Sequence, residues 1–202
     1  MLCLKVPTDP AWAALAMASI ERVLVDHAHC ELKAASNAMS LIARHPDDAG
    51  IVKNLTLIAK EELDHFDRVV NFLSQRGLSL GTPEVDTYAA ELRKASGQLL
   101  RDPDLSALVD RLLVAAVIEA RSCERFKLLL EHWTLDDAEL FAFYQELFAC
   151  EAKHYRVFCD LAQRAAGDFV HKVDDRLAAL ATIEGNIVRK LARGGERATV
   201  HG

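Results

Sequence analysis

The chain has 202 residues, 51% of them apolar, and a formal net charge of −6. That length suits one domain with a proper core and is short for two. The acidic balance excludes a globally basic nucleic-acid binder, so any contact with RNA must use a local patch. Ala and Leu dominate, while Gly and Pro are sparse and collect near apparent helix ends, which favours an all-helical fold.

Five Cys are present (Cys3, Cys30, Cys123, Cys150 and Cys159), with no Cys-x-x-Cys. The odd number argues against a disulfide framework and for a reducing cytoplasm. The opening MLCLKVPTDP places Lys5, Asp9 and two prolines where a signal peptide needs an apolar core. The apolar runs Ala11 to Ile20 and Leu112 to Ile118 are too short to span a bilayer, so no membrane role is expected.

In chain order, Thr8 or Asp9 followed by Pro10 marks a helix start. The helical pattern then runs to Arg44, with a possible break near Ala18-Ser19, and His45-Pro46 ends it. Asp47 or Asp48 caps a second helix. Its apolar positions Ile51, Leu55, Ile58, Val69, Phe72 and Leu73 recur at helical spacing until Gly77 stops it. Leu78 to Asp102 reads as a long crossover containing a short helix, Tyr88 to Leu100. Asp102-Pro103 starts a third main helix that ends near Trp133. Thr134 with Asp137 three residues on forms a capping pair for a fourth, which Gly167 ends. A fifth helix spans about Phe169 to Leu191, and residues from about 192 to 202 form a flexible tail. The expected architecture is a single domain over 1–202, a four-helix bundle with a long crossover between main helices two and three and extra helical segments.

Two copies of one metal-ligand pattern stand 89 residues apart: Glu62-Leu63-Asp64-His65 and Glu151-Ala152-Lys153-His154. On a helix, Glu-x-x-His puts carboxylate and imidazole on one face. A single copy is ordinary surface sequence. Here each copy also has a Glu upstream, Glu31 at 31 residues before Glu62 and Glu119 at 32 before Glu151. Glu124 competes with Glu119, and Glu21 or Asp26 with Glu31. Spacing favours Glu31 and Glu119, because ligands must sit at similar heights along helices.

Four buried carboxylates need a counter-charge, and two divalent cations supply it. Oxygen and imidazole donors suit iron or manganese, whereas zinc uses fewer carboxylates. The alanines Ala34, Ala35, Ala38, Ala115 and Ala116 leave room beside the upstream Glu residues. Glu61 and Asp64 read as solvated flanks, His27 and His29 as packing or surface residues, and Cys30, Cys123 and Cys150 as small buried apolar residues. Arg121 and Arg125 read as partners of nearby carboxylates with no catalytic role.

The ligand set resembles the ferritin-like di-iron carboxylate superfamily. The stretches KEELDHF (Lys60 to Phe66), IEARSCERF (Ile118 to Phe126) and CEAKHYRVF (Cys150 to Phe158) resemble the tRNA hydroxylase family called MiaE over nearly the whole chain. That resemblance implies metal ligands Glu31, Glu62, His65, Glu119, Glu151 and His154. It also implies a monooxygenase that uses two iron ions and O2 to hydroxylate the isopentenyl group of 2-methylthio-N6-isopentenyladenosine at tRNA position 37. The implied partners are a tRNA anticodon stem-loop and a separate electron-transfer protein, with the enzyme a monomer or dimer. A ferroxidase or iron-handling protein and a small-molecule di-iron hydroxylase are the alternatives. Cations that could meet RNA are Arg44, Lys53, Arg93, Lys94, Arg101 and the basic stretch Arg189 to Arg197.

Overall fold

The computed structural model describes residues 2–83, 87–99, 101–193 and 199–200. Among them there is no strand, and no helix is long and apolar enough to cross a membrane. Seven α-helices follow in order: α1 (Ala11–Ala18), α2 (Ile20–Arg44), α3 (Ala49–Gln75), α4 (Thr87–Gln98), α5 (Ala107–Glu131), α6 (Ala138–Ala166) and α7 (Val173–Arg193). They fall in two compact units. One lies within Ala18–Val85 and Ala198–Val200, the other within Met1–Met17 and Asp86–Arg197.

The smaller unit is the hairpin of α2 and α3. Ser19, at φ −135° and ψ 39°, separates α1 from α2, the break the sequence allowed. His45 and the residues after it make the turn. Asp48 then caps α3, its Oδ1 accepting from the backbone N–H groups of Gly50 (2.9 Å) and Ile51 (3.0 Å). Gly77, at φ +69°, ends the helix as the N–H of Leu78 returns to the Leu73 carbonyl at 2.9 Å. The apolar stripe Ile51, Leu55, Ile58, Val69, Phe72 and Leu73 is buried as its spacing requires. Thr199 and Val200 are buried too, and the Val200 N–H donates to Asp26 Oδ2 at 2.6 Å.

The larger unit is built on the hairpin of α5 and α6, with α7, α4 and the N-terminal segment packed against α5. Three boundaries differ from the sequence reading. Asp102-Pro103 does not open α5. Asp102 closes a turn by accepting from the Asp104 N–H and pairs with Lys172 at 3.0 Å, and α5 begins at Ala107. Asp137, not Thr134, caps α6, its Oδ1 accepting from the Leu140 N–H at 2.9 Å. Between α6 and α7 lies a 3-10 segment, Gly167–Lys172, because Phe169 departs from helical geometry at ψ 18°. The crossover carries its own helix as expected, although Leu100 lies outside the described residues, as do 194–198 and 201–202 of the expected tail.

A buried polar network ties this unit together. The fully buried Arg121 on α5 donates to Glu184 on α7 through Nε (2.7 Å) and Nη2 (3.0 Å). It also donates to Glu124 (2.6 Å), to the Thr8 hydroxyl (3.0 Å) and to the Val6 carbonyl (2.9 Å). Tyr88 of α4 reaches Glu184 at 3.2 Å, and Arg125 stacks over Trp12 at 4.8 Å. The N-terminal segment passes so close to α7 that a Cβ at Gly185 would sit 2.6 Å from Val6 Cγ2.

Candidate metal centre

Each helical hairpin presents one triad. In the α2–α3 hairpin, Glu31 comes from α2, and Glu62 and His65 from adjacent turns of α3. One donor atom of each lies within 4.8 Å of the others, and all three side chains are buried. His65 Nδ1 is 3.6 Å from Glu31 Oε2 and 3.6 Å from Glu62 Oε2. Behind Glu31, the fully buried His27 holds Oε1 at 2.6 Å, one helical turn earlier on α2. Burial works to raise the Glu31 carboxyl. Hydrogen bonding with Glu62 and His27, the His27 charge and His65 outweigh it and hold Glu31 far below the usual carboxylate range.

The α5–α6 hairpin repeats the arrangement. Glu119 comes from α5, and Glu151 and His154 from α6, again with one donor atom of each within 4.8 Å of the others. Glu151 is 2% exposed and His154 not at all. His154 Nδ1 is 4.0 Å from Glu151 Oε2, and Nε2 lies 3.4 Å from the Cys150 sulfur. Two buried carboxylates and one imidazole per hairpin form a hard, anionic donor set. That set fits a divalent iron or manganese ion, whose charge would offset that of the buried carboxylates.

The competing carboxylates are otherwise engaged. Glu124 is held by Arg121, the Thr8 hydroxyl (2.6 Å) and the Thr8 N–H (2.8 Å). Asp26 accepts from Val200, and Glu21 is exposed. Asp64 is exposed beside Arg68, in keeping with a solvated flank. His27 is where sequence reasoning fell short. It is packed, as expected, but it also orients Glu31, and its four-residue spacing from Glu31 was the available signal. Cys30 and Cys150 are half-buried rather than buried, and Cys123 alone of the three is in the core.

Paired Glu-x-x-His hairpins in an all-α chain define the ferritin-like di-iron carboxylate class. A solved structure of that fold bears this out: Protein 43 with aldehyde deformylating oxygenase activity from Synechococcus aligns with 100% of this chain and 96% of its own. The TM-score is 0.84 and the sequence identity 33%. Within the class, residues 1–196 match the family described as tRNA-(MS[2]IO[6]A)-hydroxylase (MiaE), and the chain belongs to that family. It is 42% identical over 156 residues to the tRNA 2-(methylsulfanyl)-N(6)-isopentenyladenosine(37) hydroxylase of Pseudomonas putida, covering 77% of this chain and 73% of that protein. It is 26% identical to the Salmonella typhimurium protein of the same name, over 90% of this chain and 82% of that one.

Proposed function

We propose that this enzyme hydroxylates the isopentenyl group of 2-methylthio-N6-isopentenyladenosine at position 37 of tRNA. In this reading the two units act as one ferritin-like domain, in the cytoplasm, as a monomer or dimer. Glu31, Glu62 and His65, together with Glu119, Glu151 and His154, hold a pair of iron ions. The observation that carries the reading is the matched pair of buried triads in a chain of this family. Four carboxylates would balance two divalent cations, and each triad would offer one imidazole to the pair.

Iron held this way supplies the reduction of O2 and the oxidising power needed at an allylic C–H bond, with electrons from a separate protein. The chain's own residues set the conditions. His27 fixes the orientation of Glu31, and Cys150 borders the His154 ring. Ala34, Ala35 and Ala38 on α2 and Ala115 and Ala116 on α5 offer no bulk beside the two upstream carboxylates. The burial of both triads excludes water from the reacting region. The prenylated base is presented from a single-stranded loop, so its extrusion costs little.

Nucleoside analysis of tRNA from a deletion strain, with and without this chain, tests the reading. The expected result is accumulation of the unhydroxylated nucleoside in the deletion and recovery of the hydroxylated one on complementation. Unchanged nucleosides would remove the tRNA reaction and turn the reading toward a small-molecule hydroxylase or a ferroxidase.

A further inference from the structure

The N-terminal segment carries a thiol to α6. Arg121 holds the Val6 carbonyl at 2.9 Å, and Glu124 holds the Thr8 N–H at 2.8 Å. Leu4 is buried, so the chain before Val6 also lies against the larger unit. There Cys3 hydrogen-bonds with Tyr155 of α6 and lies within electrostatic reach of Cys159. Tyr155 and Cys159 stand four residues apart on one helical face. The Tyr155 hydroxyl shares hydrogen bonds with both thiols, and all three side chains are half-buried.

Two thiols and a phenol are hydrogen-atom donors, and the thiols here keep their hydrogens. Burial pushes the Cys3 thiol up to about 11 and the Cys159 thiol above its ordinary range. At neutral pH both remain S–H, and neither is a ready nucleophile. The position of the cluster gives that chemistry a destination. Tyr155 directly follows His154, which forms the α5–α6 triad with Glu119 and Glu151. One peptide unit therefore connects the cluster to that triad. The chain around Cys3 is not helical, so it can shift until its sulfur reaches the bonding distance of about 2 Å from Cys159.

We propose that Cys3, Tyr155 and Cys159 form an internal two-electron donor, used when O2 is activated with no prenyl group in place. The proposal rests on the di-iron oxygenase reading above and adds what happens when the substrate is missing. In hydroxylation the substrate C–H bond supplies two of the four electrons that O2 needs, and the separate donor protein supplies the other two. Without substrate, the thiols take the place of the C–H bond. Two S–H bonds break and one S–S bond forms. The two electrons pass through Tyr155 to the oxidised iron pair, and the two protons leave with the second oxygen atom as water. Tyr155 loses and regains a hydrogen each time and ends unchanged. In sum, O2, two donor electrons, two protons and two thiols give one disulfide and two waters. The residues that hold the iron are spared oxidation, and a dithiol reductant resets the cluster.

The test is mass-spectrometric mapping of disulfide-linked peptides in the full-length protein, loaded with ferrous iron and exposed to O2 without RNA. A link between Cys3 and Cys159 is expected in most chains after one turnover. An anticodon stem-loop carrying the unhydroxylated nucleoside should cut that yield about tenfold, because the C–H bond then supplies the electrons. Tyr155→Phe should form the link about tenfold more slowly while keeping its iron content and its hydroxylation of the stem-loop. Metal-free protein should stay unlinked in O2. Diamide, a reagent that removes two thiol hydrogens, should join the same pair in metal-free wild type and Tyr155→Phe alike. Hydroxylation of the stem-loop by a protein that never forms the link overturns the donor and leaves the tRNA reading intact. Equal linking in metal-free protein under O2, or in iron-loaded Tyr155→Phe, also overturns it. A link that needs iron, with no hydroxylation of the stem-loop, overturns the tRNA reading and leaves the donor in place.

Discussion

Arg121 and Glu184 meet as a fully buried ion pair, with Nε to Oε1 at 2.7 Å and Nη2 to Oε2 at 3.0 Å. The pair joins α5, which carries Glu119, to α7, and through Tyr88 and Thr8 it also fastens α4 and the N-terminal segment. Removing one partner leaves an uncompensated buried charge. Arg121→Ala is expected to cost about 3 to 5 kcal/mol. For a chain of this size that lowers Tm by roughly 6 to 20 °C, readable by thermal denaturation. Arg121→Met with Glu184→Leu should recover part of that loss, because the fully buried lone carboxylate is gone and the partly exposed Glu124 keeps its two bonds from Thr8.

Gly185 is the point where the N-terminal segment crosses α7. In Gly185→Ala the new methyl meets Val6, a stiff β-branched side chain, at 2.6 Å. The segment must lift, weakening the Arg121 bonds to Val6 and Thr8. The expected cost is about 1 to 3 kcal/mol, with faster proteolysis before residue 10 and little change in the α2–α3 hairpin.

His27 holds Glu31 by one short hydrogen bond. His27→Ala should lower iron affinity about 10- to 100-fold, measured by competition with a chelator. His27→Gln keeps a hydrogen-bonding group within reach and should restore part of the affinity. Equal affinity in wild type and His27→Ala would remove the orienting role.

Burial pushes the thiol of Cys123 up to about 11, and that of Cys3 to about 11 as well. At pH 8 their thiolate fraction, and hence alkylation rate, should be about 100-fold below that of an unperturbed thiol. The linkage sign follows from the raised values. The folded state retains protons that the unfolded chain loses near pH 9, so this contribution to stability is complete below pH 9 and is lost as pH rises toward 11. Urea midpoints between pH 8 and 10.5 should fall less in Cys123→Ala than in wild type.

Much of this molecule was legible in its sequence because the signals were local. Glu-x-x-His spacing is a helical face, Asp48 before a periodic run is a cap, and Gly77 is a left-handed stop. What was not legible depended on competition between equivalent residues. Thr134 and Asp137 both suit a cap, and Asp137 wins because α6 starts one residue after it. Asp102-Pro103 looks like a helix start, but Asp102 accepts from the Asp104 N–H in a turn and also pairs with Lys172, 70 residues away. Glu124 and Glu119 are indistinguishable by type. Arg121 and Thr8 claim Glu124, and only the folded chain shows that.

The central claim, that the two triads together hold a pair of iron ions, is tested most directly by metal analysis of purified variants. Wild-type protein loaded anaerobically with ferrous iron should bind a pair of ions per chain, and Glu124→Ala should bind nearly as much. Glu119→Ala and Glu31→Ala should each lose most of it while keeping their helicity. Equal iron in Glu119→Ala, Glu31→Ala and Glu124→Ala would contradict the assignment.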